Sequence, residues 1–489
     1  MEEALLLPKS GWREGRWRAP LTWNLFLDEL KKVASLASPM VVVFVSQYLL
    51  QVVSLMMAGH LGELSLAGVA IATSITNVTG FSLLAGLSGA LETLCGQAYG
   101  AGQHQKLGTY TYCAMLSLVP ICIPIIVMWM FMDKLLISLG QEPDVASVAY
   151  NYSAWLIPGL IACAILQAEL RYFLSQSMIL PVLLSFCATL CFHVPACWVL
   201  VYKTRLRYVG AALAISISYS LGAIFLELCM RFSSSCEKTR SMHWEDALSC
   251  TKEFLCYGFP SAVMVCLEWW TFEIVILLSG LLPDSQLQTS VLSICLTVDS
   301  LHYCVQYAVA VAASTRISNE LGGGNPQAAQ GVVVVVVAVS IVEALIVSTI
   351  LFFCRRVLGY AFSDNVDVVD YLSELAPFLC LSIISDGLHA ILSGVARGCG
   401  WQRIGAFINL GAYYFAGLPL AVVLAFVVKL RGKGLWIGVL TGSALQAAML
   451  LVLTTLTNWQ KQATKARERI FEGSIPERTT VRSRINEEL

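Results

Sequence analysis

Phe259 to Asp284 reads FPSAVMVCLEWWTFEIVILLSGLLPD, a run long enough to cross a bilayer that nonetheless carries Glu268 and Glu273 near its middle. An acidic side chain at the centre of a membrane helix costs about 2.5–3.5 kcal/mol on insertion scales, so it normally faces a wet cavity or a partner and marks an ion pathway. On a helix turning 100° per residue, a separation of five places the two carboxylates about 140° apart. They are therefore expected not to share one narrow site: one faces a central cavity and the other a packed neighbour.

The rest of the chain agrees with a membrane setting. Of its 489 residues 57% are hydrophobic and 13% charged, with a mean hydropathy of +0.72; soluble domains carry about 25% charged residues. The lack of any long basic block argues against nucleic acid as a partner, whereas the net charge of −1 says little. The 17 cysteines are scattered singly through apolar segments without zinc-type spacing and read as small buried hydrophobes, so no metal is expected. No GxxxxGK[ST] phosphate loop occurs, which disfavours ATP-driven work, and no cofactor is expected. A catalytic pairing of the Ser-His-Asp or zinc-hydrolase type is missing too, so the chain does not read as an enzyme.

Apolar stretches of about 20 residues recur and predict an all-α membrane protein of twelve transmembrane helices. They are expected to start near residues 33, 64, 106, 147, 178 and 208, and then near 253, 286, 329, 367, 404 and 434. Residues 1–32 read as an N-terminal tail, 33–231 as a first six-helix lobe, 232–252 as a polar interlobe linker, 253–458 as a second lobe and 459–489 as a C-terminal tail. The tails and the even-numbered loops hold 22 of the 31 Lys and Arg residues, so the positive-inside rule puts both termini in the cytosol. The lobes are repeats. Pro39 and Gly59 fall on Pro260 and Gly280, Gly100 and Gly102 on Gly322 and Gly324, Tyr152 and Pro158 on Tyr371 and Pro377, and Gly210 on Gly434, at offsets of 219 to 224. Six helices per repeat make the two parallel, related by an axis along the membrane normal, with the substrate site expected between them.

The repeat allows polar residues at equal depth to be compared. Glu268, Glu273, Asp299, Glu343 and Asp386 fall at mid-membrane depth, all in the second lobe, whereas the first lobe has Gln47 opposite Glu268 and Gln167 opposite Asp386. A carboxyl group removed from water titrates nearer to neutrality, which suits proton coupling. Glu268, Glu273 and Asp386 are the first candidates, with Asp299, Glu343 and His389 as possible additions. Asp299 and His302, and likewise Asp386 and His389, are three apart and share a helix face. Glu92, Glu169 and Glu227 lie near predicted helix ends, the latter two with Arg171 and Arg231 close by, and read as salt bridges, while His193 reads as a core histidine.

Longer motifs carry a family resemblance over about residues 30–460. They are SQYLLQVVSLMMAGHLGELSLAGVAIATS, GLSGALETLCGQAYGAGQ, PSAVMVCLEWWTFE, ASTRISNELGGGNPQAA and GVARGCGWQRIGAFINLGAYY. With them the chain resembles the MATE (multidrug and toxic compound extrusion) transporters, most closely the plant detoxification branch. The resemblance implies two six-helix lobes in a V and proton-driven antiport of organic cations, xenobiotics or plant secondary metabolites. It also implies coupling acids in the second lobe, matching Glu268, Glu273 and Asp386. Gln47, Tyr48, Gln51, Asn77, Tyr303 and Tyr307 are expected to line the cleft, where a flat cation would stack. Asp299 stands where the branch has an apolar or small residue, and His389 where it has glutamine. A monomer surrounded by lipid, in the vacuolar or plasma membrane, is the expected setting; the alternative function is a gradient-independent facilitator or channel for organic cations.

Overall fold

The computed structural model describes residues 22–241 and 244–472. Among them, twelve helices are long and apolar enough to cross a membrane. The first six are α1 (Trp23–Gly59), α2 (Glu63–Gly100), α3 (His104–Trp129), α4 (Pro143–Ser175), α5 (Ile179–Lys203) and α6 (Tyr208–Phe232). The second six are α7 (Thr251–Ser279), α8 (Ser285–Gly322), α9 (Pro326–Phe362), α10 (Val366–Cys399), α11 (Gln402–Val427) and α12 (Gly432–Leu456).

All but the first begin within about four residues of the expected starts, because hydropathy marks where lipid begins. α1 begins at Trp23 rather than near 33, so the expected tail of residues 1–32 ends inside a helix. Its polar first turns hold together through an ion pair that hydropathy cannot register: Arg316 on α8 donates from Nε to Glu29 Oε1 at 2.8 Å. The remainder of that tail lies outside the described residues.

Packing repeats as the sequence does. α4 packs on α2, α3 and α6 while α10 packs on α8, α9 and α12, and the pairing of α1 with α5 recurs as α7 with α11. The lobes meet where α1 lies on α8 and α2 on both α7 and α8. Small residues let backbones approach there, as in other membrane helix pairs. A Cβ on Gly100 would lie 1.9 Å from the Asn319 carbonyl oxygen, and one on Gly322 would lie 2.1 Å from that of Gln97. Gly102 and Gly324 follow with φ of 72° and 77°, so each copy of the repeated glycine motif supplies a crossing point and then a left-handed turn. The sequence showed these glycines only as a repeated motif.

Parts of the stretches read as an interlobe linker and a C-terminal tail are packed. In the interlobe stretch Thr239 is buried, bonded to Tyr172 Oη at 2.6 Å and Gln176 Oε1 at 2.9 Å on or just after α4. The expected tail from residue 459 opens with a helix, α13 (Trp459–Glu472). It buries Ala463, Ala466 and Ile470, and Gln462 Nε2 donates to the Cys399 carbonyl at 2.6 Å. The same helix also reaches the first lobe, with Arg469 Nη1 donating to Gln97 Oε1 at 2.6 Å. Its high polarity hid it from a reading based on apolar length.

Candidate functional site

A cavity of about 410 Å³ lies between the lobes and takes its walls from α1, α2, α4, α6, α7, α8 and α10. On α1, Phe44, Gln47, Tyr48 and Gln51 face it together, a spacing that one helical face dictates. Asn77 lies opposite Gln51 at the start of a π-helical turn, Asn77–Phe81, and the two amides exchange both bonds at 3.1 and 3.2 Å. The wider turn displaces the α2 backbone at this point, a common feature of functional helices. Tyr303 and Tyr307 stack with centroids 5.9 Å apart. All six residues expected to line the cleft do so.

Glu268, Glu273, Asp299, Asp386 and His389 line the same cavity. Glu268 is buried and accepts from Tyr303 Oη at 2.9 Å. Glu273 accepts from Ser74 Oγ at 2.6 Å, a bond that joins α7 to α2 across the lobes. The expectation that these two glutamates could not share a site is corrected here. Met264, Val265, Glu268, Trp269, Phe272 and Glu273 all contribute walls, so the cavity follows about 180° of α7 rather than a narrow stripe. Glu273 meets both descriptions, facing the cavity and a packed neighbour.

Asp386 has His389 Nε2 at 3.3 Å from Oδ1, as their spacing suggested. The matching pair on α8 does not form. His302 turns to Glu343, with Nε2 3.2 Å from Oε2, and Gln306 Nε2 donates to the same oxygen. Asp299 instead faces Asp386 within hydrogen-bonding reach. Glu343 lies on α9 against α8 and contributes nothing to the cavity wall. The amides that replace acids in the first lobe, Gln47 and Gln167, do reach the cavity, so the two halves present equivalent positions to one space.

The sequence reading missed the basic side of the site. Arg171 and Arg397 also line the cavity and converge on Glu92, which accepts from Arg397 Nε at 2.9 Å and lies 2.8 Å from Arg171 Nη1. Arg171 Nη2 also donates to Tyr307 Oη at 3.1 Å. The expected pairing of Arg171 with Glu169 is absent because residues two apart on a helix point to different faces. Glu169 is fully buried, and neither carboxyl oxygen has a hydrogen-bond partner among the described residues. The pairing of Glu227 with Arg231 does form, at 2.6 Å, four residues apart. His193 is a core histidine, held between Ser54 Oγ at 3.1 Å and Ser218 Oγ at 2.9 Å.

A membrane protein made of two equivalent six-helix halves, with buried acids and stacked aromatics around a space between them, has the architecture of a secondary transporter. The chain belongs to the MatE family of multidrug and toxic compound extrusion transporters, whose profile matches residues 39–199 and 260–423, one block in each lobe. It is accordingly a transporter and not an enzyme. Among curated proteins of Arabidopsis thaliana it is 54% identical to Protein DETOXIFICATION 3, covering 96% of this chain and 97% of that one. It is 53% identical to Protein DETOXIFICATION 1, over 92% and 95%. The crystal structure of the eukaryotic MATE transporter AtDTX14 superposes with a TM-score of 0.88 at 50% identity, covering 91% of this chain and 99% of that one. An outward-facing multidrug resistance MATE transporter shares the fold at a TM-score of 0.80 and 15% identity, over 90% and 97%.

Proposed function

We propose that this transporter is a proton-coupled antiporter that carries organic cations, xenobiotics or plant secondary metabolites out of the cytosol. The observation that supports it most is the company Glu268 keeps. It is a buried carboxyl in the wall of a cavity that also presents stacked Tyr303 and Tyr307, so one space offers a negative charge and flat π-faces to the same guest. Protons and a cation then compete for the same carboxyls, and that competition is antiport. Glu268 serves as the counter-ion of the cation and gives it up when protonated from the acidic side. Glu273 reports the same event through Ser74 to α2, while Asp386, beside His389, is a further coupling carboxyl in the same wall.

Return to the cytosol-facing state requires the lobes to part where the Glu92–Arg397 and Glu29–Arg316 pairs hold them. The excess of Lys and Arg in the tails and even-numbered loops puts that end, and both termini, in the cytosol. The cargo is released into the vacuole or the apoplast, and one chain suffices as the working unit.

Purified protein in sealed vesicles, loaded acid-inside, is expected to accumulate a fluorescent organic cation and to lose that accumulation on adding a protonophore. Glu268→Gln should abolish gradient-driven accumulation at unchanged expression. Equal filling of the vesicles regardless of the gradient would instead identify a facilitator.

A further inference from the structure

We propose that Asp299 and Asp386 form a carboxyl pair that carries a second coupling proton, distinct from the one exchanged at Glu268; this rests on the antiport reading above. The pair joins α8 to α10, two helices that pack along much of their length in the second lobe. Both side chains are buried and line the cavity, and the two carboxyl groups lie within hydrogen-bonding reach of each other. Neither has a conventional donor: Asp299 Oδ1 and both Asp386 oxygens lack a hydrogen-bond partner among the described residues, with only His389 Nε2 at 3.3 Å from Asp386 Oδ1. Two carboxyl groups can hydrogen-bond to each other only while a proton lies between them.

The surroundings offer little other compensation. Cys295 precedes Asp299 by one turn on α8, Tyr413 faces the pair from α11, and Glu268 and Tyr303 stand on α7 and α8. The cavity's guanidinium groups, Arg171 and Arg397, are committed to Glu92. Glu343 of α9 is turned to His302 and Gln306. Loss of the shared proton therefore sets two like charges against each other, with His389 as the one close cationic candidate. The resulting repulsion falls on the seam between α8 and α10, so occupancy of the pair is tied to how closely those helices pack.

The consequence is a stoichiometry. Exchange of two protons for one monovalent cation moves one net charge per cycle, whereas exchange of one proton moves none. The measurement uses wild-type protein in sealed vesicles, ethidium as the cargo, and membrane potential clamped with valinomycin and potassium. Each proton per pH unit is worth about 1.36 kcal/mol, a factor of ten. At zero potential and one pH unit acid-inside, the wild type is expected to concentrate ethidium about 100-fold. An inside-positive potential of about 100 mV, worth about 2.3 kcal/mol per charge, should raise this about 50-fold more. Asp299→Asn should lower accumulation to about tenfold and remove the response to potential.

The wild-type arm tests the pair even if the variant does not fold. Wild-type accumulation of about tenfold that ignores potential overturns the pair, as does a variant that keeps the wild-type values. Uptake driven by an inside-negative potential and indifferent to pH overturns the antiport reading itself, since that is the behaviour of a facilitator.

Discussion

Glu92 ties together two guanidinium groups from opposite lobes, Arg171 on α4 and Arg397 on α10, and all three side chains are almost completely shielded from solvent. Removing one member of such a set leaves uncompensated buried charge, a loss of roughly 3–5 kcal/mol. Glu92→Ala is therefore expected to lower the thermal unfolding midpoint of the detergent-purified protein clearly. Glu227→Ala, which breaks a pair whose Arg231 is 66% exposed, should change it little, since exposed pairs contribute at most about 1 kcal/mol. An E92A protein as stable as wild type would show that the cluster does not hold the lobes. At this scale the sequence conveyed the acids well, because a charge in an apolar run stands out. It conveyed their partners poorly. Arg171 lies two residues from Glu169 in sequence, yet its carboxylate comes from α2.

At the scale of helices, the ends of α2 and α8 come close enough across the interlobe seam that no Cβ fits between them at Gly100 or Gly322. Gly100 and Gly322 allow each backbone to pass the other's carbonyls, so added side-chain bulk there has no flexible group to push aside. Gly100→Ala is expected to separate these ends and favour states open at this seam. Electron–electron distance measurements between labels near the ends of α2 and α8 should then show a larger population of long distances than wild type. An unchanged distribution would mean that the crossing relaxes without opening. The glycines were visible in sequence as a repeated motif, but their contact was not. A turn can be read from the local chain, whereas a crossing depends on residues about 220 positions away.

For the whole molecule, α13 contacts both lobes at the end of the seam. It bonds to Cys399 through Gln462 and to Gln97 through Arg469, whose guanidinium also lies 4.8 Å from the Tyr257 ring centroid. The Ile470 carbonyl accepts from Lys106 at the start of α3. Ending the chain after Leu456 should therefore weaken the closed seam, and labelled wild-type and truncated proteins should differ in the same direction as the Gly100→Ala protein. If truncation instead leaves both the distances and transport unchanged, α13 packs on the lobes without restraining them.

Hydropathy and internal repetition determined the twelve crossings and the two lobes, because lipid imposes those properties on each segment separately. Only the tertiary structure decided which faces meet. It brought Asp299 to Asp386 rather than to His302, turned Glu343 away from the cavity, and let one cavity reach both Glu268 and Glu273. It also folded α13 from a stretch too polar to attract notice. These outcomes depend on how helices distant in sequence rotate and cross, and side-chain packing between them settles that geometry.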